Sequence, residues 1–191
     1  MSSSSVKRNF ILSKNCQVQI TTSQFLPLRS VKLVRSVDDE DYVIESVNFR
    51  LAEWKEFLEA VPVFLQLMKA LKKNKNLDFP SLDEVLNTSH PELLVKGTWE
   101  FVEYQSHRLV AKLIPYKSLI GTREVLLCIR GYKTDVWGRI HPSAFGLDLF
   151  QAEVDNLNDH RKEITDNISY LEKTCPPISS KNLFAGSAFQ H

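Results

Sequence analysis

Residues 43–58 read Val43-Ile44-Glu45-Ser46-Val47-Asn48-Phe49-Arg50-Leu51-Ala52-Glu53-Trp54-Lys55-Glu56-Phe57-Leu58, and the spacing of apolar residues changes part-way through. Up to Phe49 the texture is that of a β-strand. From Trp54 onward, Phe57, Leu58, Val61, Phe64, Leu65, Met68 and Leu71 recur every three or four residues, which predicts one face of a long helix. Lys72-Lys73-Asn74-Lys75-Asn76 suits a helix C-terminus, where the peptide dipole favours cations. Pro62 predicts a kink or a boundary inside this helix. Upstream, Phe10-Ile11-Leu12, Val18 with Ile20, and Val31-Lys32-Leu33-Val34 are further strand candidates, separated by Ser13–Asn15, Thr21–Gln24 and the acidic run Asp38-Asp39-Glu40-Asp41.

The same change of period occurs again. Gly146-Leu147-Asp148-Leu149 lines up with Ser46-Val47-Asn48-Phe49 at an offset of 100, where Trp54 meets Val154, Phe57 meets Leu157, Phe64 meets Ile164 and Met68 meets Ile168. Val31–Arg35 resembles Leu126–Arg130 at an offset of 95. Thr98–Tyr104, Leu109–Tyr116, Glu124–Tyr132 and Trp137–Leu149 are strand candidates, and the helix after them stops at Cys175-Pro176-Pro177. The fold class expected is α+β, two tandem ββββα units, each a curved antiparallel sheet plus a long helix, paired within the chain as a pseudo-dimer. The expected boundaries are a disordered tail over 1–8, units over 9–75 and 98–175, a linker over 76–97 and a loop-like tail over 176–191. Within the linker, Ser81 and Glu84 have capping-box spacing.

Composition narrows the function classes. The 191 residues hold 24 Lys and Arg against 23 Asp and Glu, a net charge of +1, which excludes a bulk polycation but not a local basic patch. Cys16, Cys128 and Cys175 form no C-x-x-C pair, so neither a structural zinc nor a disulfide framework is expected. With no signal-like apolar centre and no run near the roughly 18 residues of a membrane span, a reducing intracellular compartment, the nucleus among them, is expected over secretion. No Gly-rich phosphate loop or G-x-S-x-G is present, and His107, His141 and His160 lack ligand spacing, so no enzyme activity, metal or cofactor is expected.

Val125-Leu126-Leu127-Cys128-Ile129-Arg130-Gly131-Tyr132, then Gly146-Leu147-Asp148-Leu149 leading into a helix, resembles the C-terminal domain of the RNA polymerase II positive coactivator. That family, positive cofactor four, binds single-stranded DNA. The first copy matches it best where the helix opens, at Phe49, Leu51, Ala52, Glu53, Trp54 and Phe57, and near the start at Phe10-Ile11-Leu12-Ser13-Lys14. The chain departs from it in the acidic hairpin Asp38–Asp41, in Val154 where the family has tryptophan, and in Cys128. The resemblance implies units that pair through their helices and sheets that form grooves for single strands. Partners would be single-stranded DNA or RNA and transcription proteins, and no membrane.

Binding single strands takes cations that track phosphates and flat rings on which bases stack. The second copy offers Arg108, Lys112, Lys117, Arg123, Arg130, Lys133 and Arg139, with Trp137, Tyr116 and Tyr132 among them; the first offers Lys14, Arg29, Lys32 and Arg35. The alternative is that these are solvated charges on a protein-interaction module that keeps the fold without a groove.

Overall fold

In the computed structural model the chain is described over residues 5–23, 30–37, 43–81, 98–104 and 107–174. Strands β1 (Ser5–Ser13), β2 (Cys16–Ser23), β3 (Ser30–Ser36) and β4 (Val43–Arg50) lead into helix α1 (Leu51–Lys73). Strands β5 (Thr98–Tyr104), β6 (His107–Lys117), β7 (Arg123–Thr134) and β8 (Ile140–Leu149) lead into helix α2 (Gln151–Thr174). Over the described residues the protein is therefore α+β, with an antiparallel sheet and two helices.

The strands make one eight-stranded sheet, in the order β1-β2-β3-β4-β8-β7-β6-β5, where the sequence led us to expect two sheets. The junction is antiparallel, with Ser46 opposite Gly146. Left apart, β4 and β8 would each present an open edge of unpaired N–H and C=O groups, and the junction pairs the two edges at this position. At Gly146 the missing side chain matters, because a Cβ there would stand 2.7 Å from Cδ of Arg130.

Alternation along each strand sends one set of side chains toward the helices. Phe10, Leu12, Cys16, Val18, Ile20, Val31, Leu33, Val47 and Phe49 from the first four strands join Leu109, Ala111, Leu113, Val125, Leu127, Ile129, Leu147 and Leu149 from the last four in one apolar core. Both helices complete it, α1 through Trp54, Phe57, Val61, Phe64 and Met68, α2 through Val154, Leu157, Ile164 and Ile168. Each such side chain contributes roughly 1.5–3 kcal/mol by leaving water. The helices reach across the seam. α1 packs over β5, β6 and β7 as well as over β4, while α2 packs over β1 and β2 as well as over β7. They also touch each other, running antiparallel, since Lys55 lies 3.8 Å from Glu172 and Lys69 lies 3.6 Å from Asp155.

Several expectations need correction. β1 begins at Ser5, inside the stretch read as a tail, and Arg8 of β1 hydrogen-bonds Asn167 of α2. Polar Ser-Val-Lys-Arg carries no alternation signal, and the strand forms there because β2 supplies a pairing edge. No boundary forms at Pro62; α1 runs through it with Leu58, Val61, Phe64 and Leu65 buried on either side. The strand alignment shifts by one residue. Val31 lies opposite Phe49 and Leu127 opposite Leu149, so β3 and β7 correspond at an offset of 96, which puts Arg35 level with Gly131 and not with Arg130. A one-residue slip reverses which face a side chain meets. Arg35 accordingly points to the helix side and Arg130 to the other. Ser81 forms a bridge with Lys117. Its expected capping partner Glu84, together with Arg29, the acidic run 38–41, Cys175 and the tail 176–191, lies outside the described residues.

Candidate nucleic-acid interface

The two halves of the sheet differ on the face turned away from the helices. On β1–β4 this face carries Lys7, Asn9, Ile11, Gln17, Gln19, Thr21, Lys32, Val34, Ile44, Ser46, Asn48 and Arg50, by strand alternation. Asn9 stands opposite Gln19, Gln19 opposite Lys32 and Lys32 opposite Asn48, so one row of polar side chains crosses four strands in register. No carboxylate lies on this face among the described residues, because Glu45, the acidic residue of β4, has the parity of Val47 and Phe49 and turns to the helix side. Lys7, Asn9, Asn48 and Arg50 are exposed, while Lys32, Gln17 and Gln19 are half-buried.

On β6–β8 the same face is apolar or ion-paired. Ile114, Tyr116, Leu126 and Cys128 form a second, smaller buried cluster, next to buried Val110. Burial, helped by the nearby Glu124 charge, raises the Tyr116 hydroxyl above the usual tyrosine range. Lys112 is half-buried between Val110 and Ile114. Arg130 lies 2.9 Å from Asp148. Burial acts to lower the Arg130 pKa, but the electrostatic interaction with Cys128, the charge and hydrogen bond of Asp148, and the charge of Glu45 outweigh it and raise the pKa above the ordinary guanidinium value.

The other candidate residues separate over the molecule. Arg35 is on the helix side, where Nη2 lies 2.8 Å from Oε2 of Glu153 and 2.7 Å from the Asp148 carbonyl, with Nε 3.3 Å from Glu45. Lys117 and Arg123 also have helix-side parity. Arg123 stacks 4.3 Å from the Phe79 ring and donates to the Leu77 carbonyl, and the Lys117 N–H donates to the Pro80 carbonyl. Lys133, one position past Tyr132, has helix-side parity as well. Lys14 sits in the β1–β2 turn, exposed. Arg108 is placed by its backbone, opposite Tyr132.

Trp137 and Arg139 come together at the β7–β8 tip. The Asp135 carboxylate organises this turn, accepting from the Trp137 and Arg139 N–H groups at 2.9 Å each, from Arg139 Nε at 2.8 Å, and contacting His141 Nε2 at 3.0 Å. Desolvation acts to raise its pKa, but the donors of Arg139, His141 and Trp137 outweigh it and bring the carboxyl down to about 2. Gly138 takes a φ of 77°, a conformation open to glycine, which closes the turn. Trp137 is left 76 % exposed with the Arg139 guanidinium 5.0 Å from its ring centre. β8 runs antiparallel to β4, so residues before Gly146 lie alongside those after Ser46, and the tip falls at the end of the sheet where Lys7 and Arg50 lie.

The eleven candidates thus occupy two faces and two turns, and the open polar surface belongs to β1–β4. Reading the sequence missed the amide row, since Asn9, Gln17, Gln19 and Asn48 carry no charge and only pairing register aligns them. The Asp135 network had a legible signal in Asp-x-x-Gly, whose aspartate bonds the backbone two residues on. Compared with known proteins, the chain matches no family model and no curated relative.

Proposed function

We propose that this chain is a single-stranded nucleic-acid-binding protein with little sequence preference, built as two tandem ββββα units joined as an intrachain pseudo-dimer. The resemblance to the positive-cofactor-four family motivates the reading. The units' equivalence is supported by the matching registers at offsets of 96 and 100 and by a shared helix opening. Glu53 accepts from the Arg50 N–H at 2.7 Å, and Glu153 accepts from the Phe150 N–H at 3.0 Å. The observation that carries the function is the acid-free row Asn9–Gln19–Lys32–Asn48 on an open sheet face. Amide groups hydrogen-bond base edges of any sequence, lysines track phosphates, and Trp137 at the tip offers a stacking ring worth roughly 1–3 kcal/mol per base. The role that fits is coactivator-like work in transcription or the handling of single strands, in the nucleus.

The test is titration of a labelled single-stranded oligonucleotide at two salt concentrations. Binding tighter than about 100 µM at low salt is expected, with a log–log slope near −0.7 per phosphate contacted. Lys7→Glu with Lys32→Glu weakens affinity by at least about tenfold and flattens the slope, while Arg130→Ala leaves the slope unchanged. No binding at low salt, or equal binding by the double variant, overturns the assignment of this face. A second reading, a protein-interaction module, is favoured by the β6–β7 tip, where Leu119 and Ile120 are each 86 % exposed. Absence of oligonucleotide binding together with capture of a protein partner lost in Leu119→Ser/Ile120→Ser would select it.

A further inference from the structure

The two ends of the α1–α2 contact are filled differently. The helices correspond at an offset of 100 through their capping glutamates and run antiparallel, so each end repeats the other's positions. At one end Val61, Leu65 and Met68 are buried, and Lys69 reaches Asp155 at 3.6 Å. At the other end the matching positions hold Arg161, Thr165 and Ile168, with Ser169 in the place of Lys69 and Lys55 in the place of Asp155. Leucine has become threonine, and a long side chain has become serine. A groove of about 370 Å³ opens there, lined by Trp54, Lys55, Leu58, Glu59, Arg161, Thr165, Ile168 and Ser169. Trp54 is fully buried, yet its indole Nε1 has no hydrogen-bond partner among the described residues. That nitrogen is closed off from solvent, so the polar lining of the groove comes from Lys55, Glu59, Arg161, Thr165 and Ser169.

We propose that this groove is a binding site for a small organic anion with an apolar body. The Arg161 guanidinium and the Lys55 ammonium on the lining are donors only, so the complementary group is an acceptor-rich acid head. Leu58 and Ile168 supply apolar wall for the rest of the ligand, and the volume lies in the range of small-molecule sites. The charged groups around the site are Lys55, Arg161 and Glu59, with Glu172 3.8 Å from Lys55. The one lining carboxylate, Glu59, selects for a single negative charge over a multiply charged ligand. The site is distinct from the sheet face proposed for nucleic acid, on the opposite side of the sheet.

The probe is 1-anilinonaphthalene-8-sulfonate, titrated by calorimetry and fluorescence against the native full chain, with neutral N-phenyl-1-naphthylamine as its uncharged counterpart. Saturable one-to-one binding with a Kd on the order of 10 µM is expected for the sulfonate. Arg161→Gln weakens it about tenfold and leaves the neutral compound unchanged. Thr165→Leu restores the residue used at the filled end. It should block binding while raising Tm by about 2–4 °C, so loss of binding cannot be ascribed to unfolding. Excess oligonucleotide does not displace the probe. Non-saturable binding, equal affinity for the neutral compound, unchanged binding by Thr165→Leu, or displacement by oligonucleotide would each overturn the proposal. Displacement would itself show the oligonucleotide binding in the groove; the other outcomes do not bear on whether the chain binds single strands.

Discussion

Glu153 has 3 % of its surface exposed and both carboxylate oxygens engaged. Oε1 accepts from Ser13 Oγ at 2.7 Å and from Arg35 Nη1 at 2.9 Å, and Oε2 accepts from Arg35 Nη2 and from the Phe150 N–H. One residue of α2 therefore caps its own helix and ties down β1 and β3. Removing it leaves the Arg35 charge largely buried with only the half-exposed Glu45 beside it. Glu153→Ala should cost about 3–5 kcal/mol in chemical denaturation, as breaking one side of a buried pair does. Glu45 responds in the opposite sense. Burial and the Asp148 charge raise its pKa above the ordinary carboxylate range despite Arg35. A carboxyl whose folded pKa is raised binds its proton more tightly in the folded state, so its stabilising share is full at low pH and is lost as pH rises through that pKa. Glu45→Gln should then raise stability at pH 7, by no more than about 1 kcal/mol after solvent screening, and the gain should vanish near pH 4. Glu53 and Glu153 were legible in the sequence as an identity at the offset of 100, at the third position of each helix. The Arg35–Glu153 pair was not, because the pattern Leu-Val-Arg aligns by eye with Cys-Ile-Arg, and only the strand register separates their faces.

Among the elements, the helices were the most readable, since large apolar side chains at three- and four-residue spacing leave little choice of structure. Strand existence was nearly as clear, but strand function was not. Side-chain alternation says which residues share a face, whereas burial on β6–β8 and openness on β1–β4 depend on what lies over each face. The β7–β8 tip shows how an element's own chemistry prepares a surface. Asp135 fixes the turn that presents Trp137, and its depressed pKa means the network's contribution is present above about pH 4 and lost as pH falls through about 2. The amide resonances of Trp137 and Arg139 should titrate with a midpoint near 2, and Asp135→Ala should abolish that titration. Since the tip is exposed, the same substitution should leave the global thermal transition where it is. A midpoint near 4 would mean the carboxylate does not hold the turn.

For the molecule as a whole, the consequential feature is the crossing of helices over the seam. α1 covers strands of the second half and α2 covers strands of the first, with one apolar core common to both. A half without its partner would expose the faces the other helix covers. Val18, Ile20, Leu12 and Phe10 would lose α2, and Leu113, Val125 and Leu127 would lose α1. Residues 1–81 and 98–191 expressed separately should therefore show no cooperative thermal transition as monomers. Expressed together, they should copurify as a one-to-one complex, because the core and the β4–β8 junction need no covalent link. The tether contributes by concentration: a connected half sees its partner at an effective concentration on the order of millimolar. The two-chain form should accordingly melt at a temperature that rises with protein concentration, and the intact chain should not. Light scattering and thermal scans at several concentrations decide the matter. A monomeric, cooperatively melting half would show that the crossing helices are dispensable, and the two units would then be neighbours that fold alone.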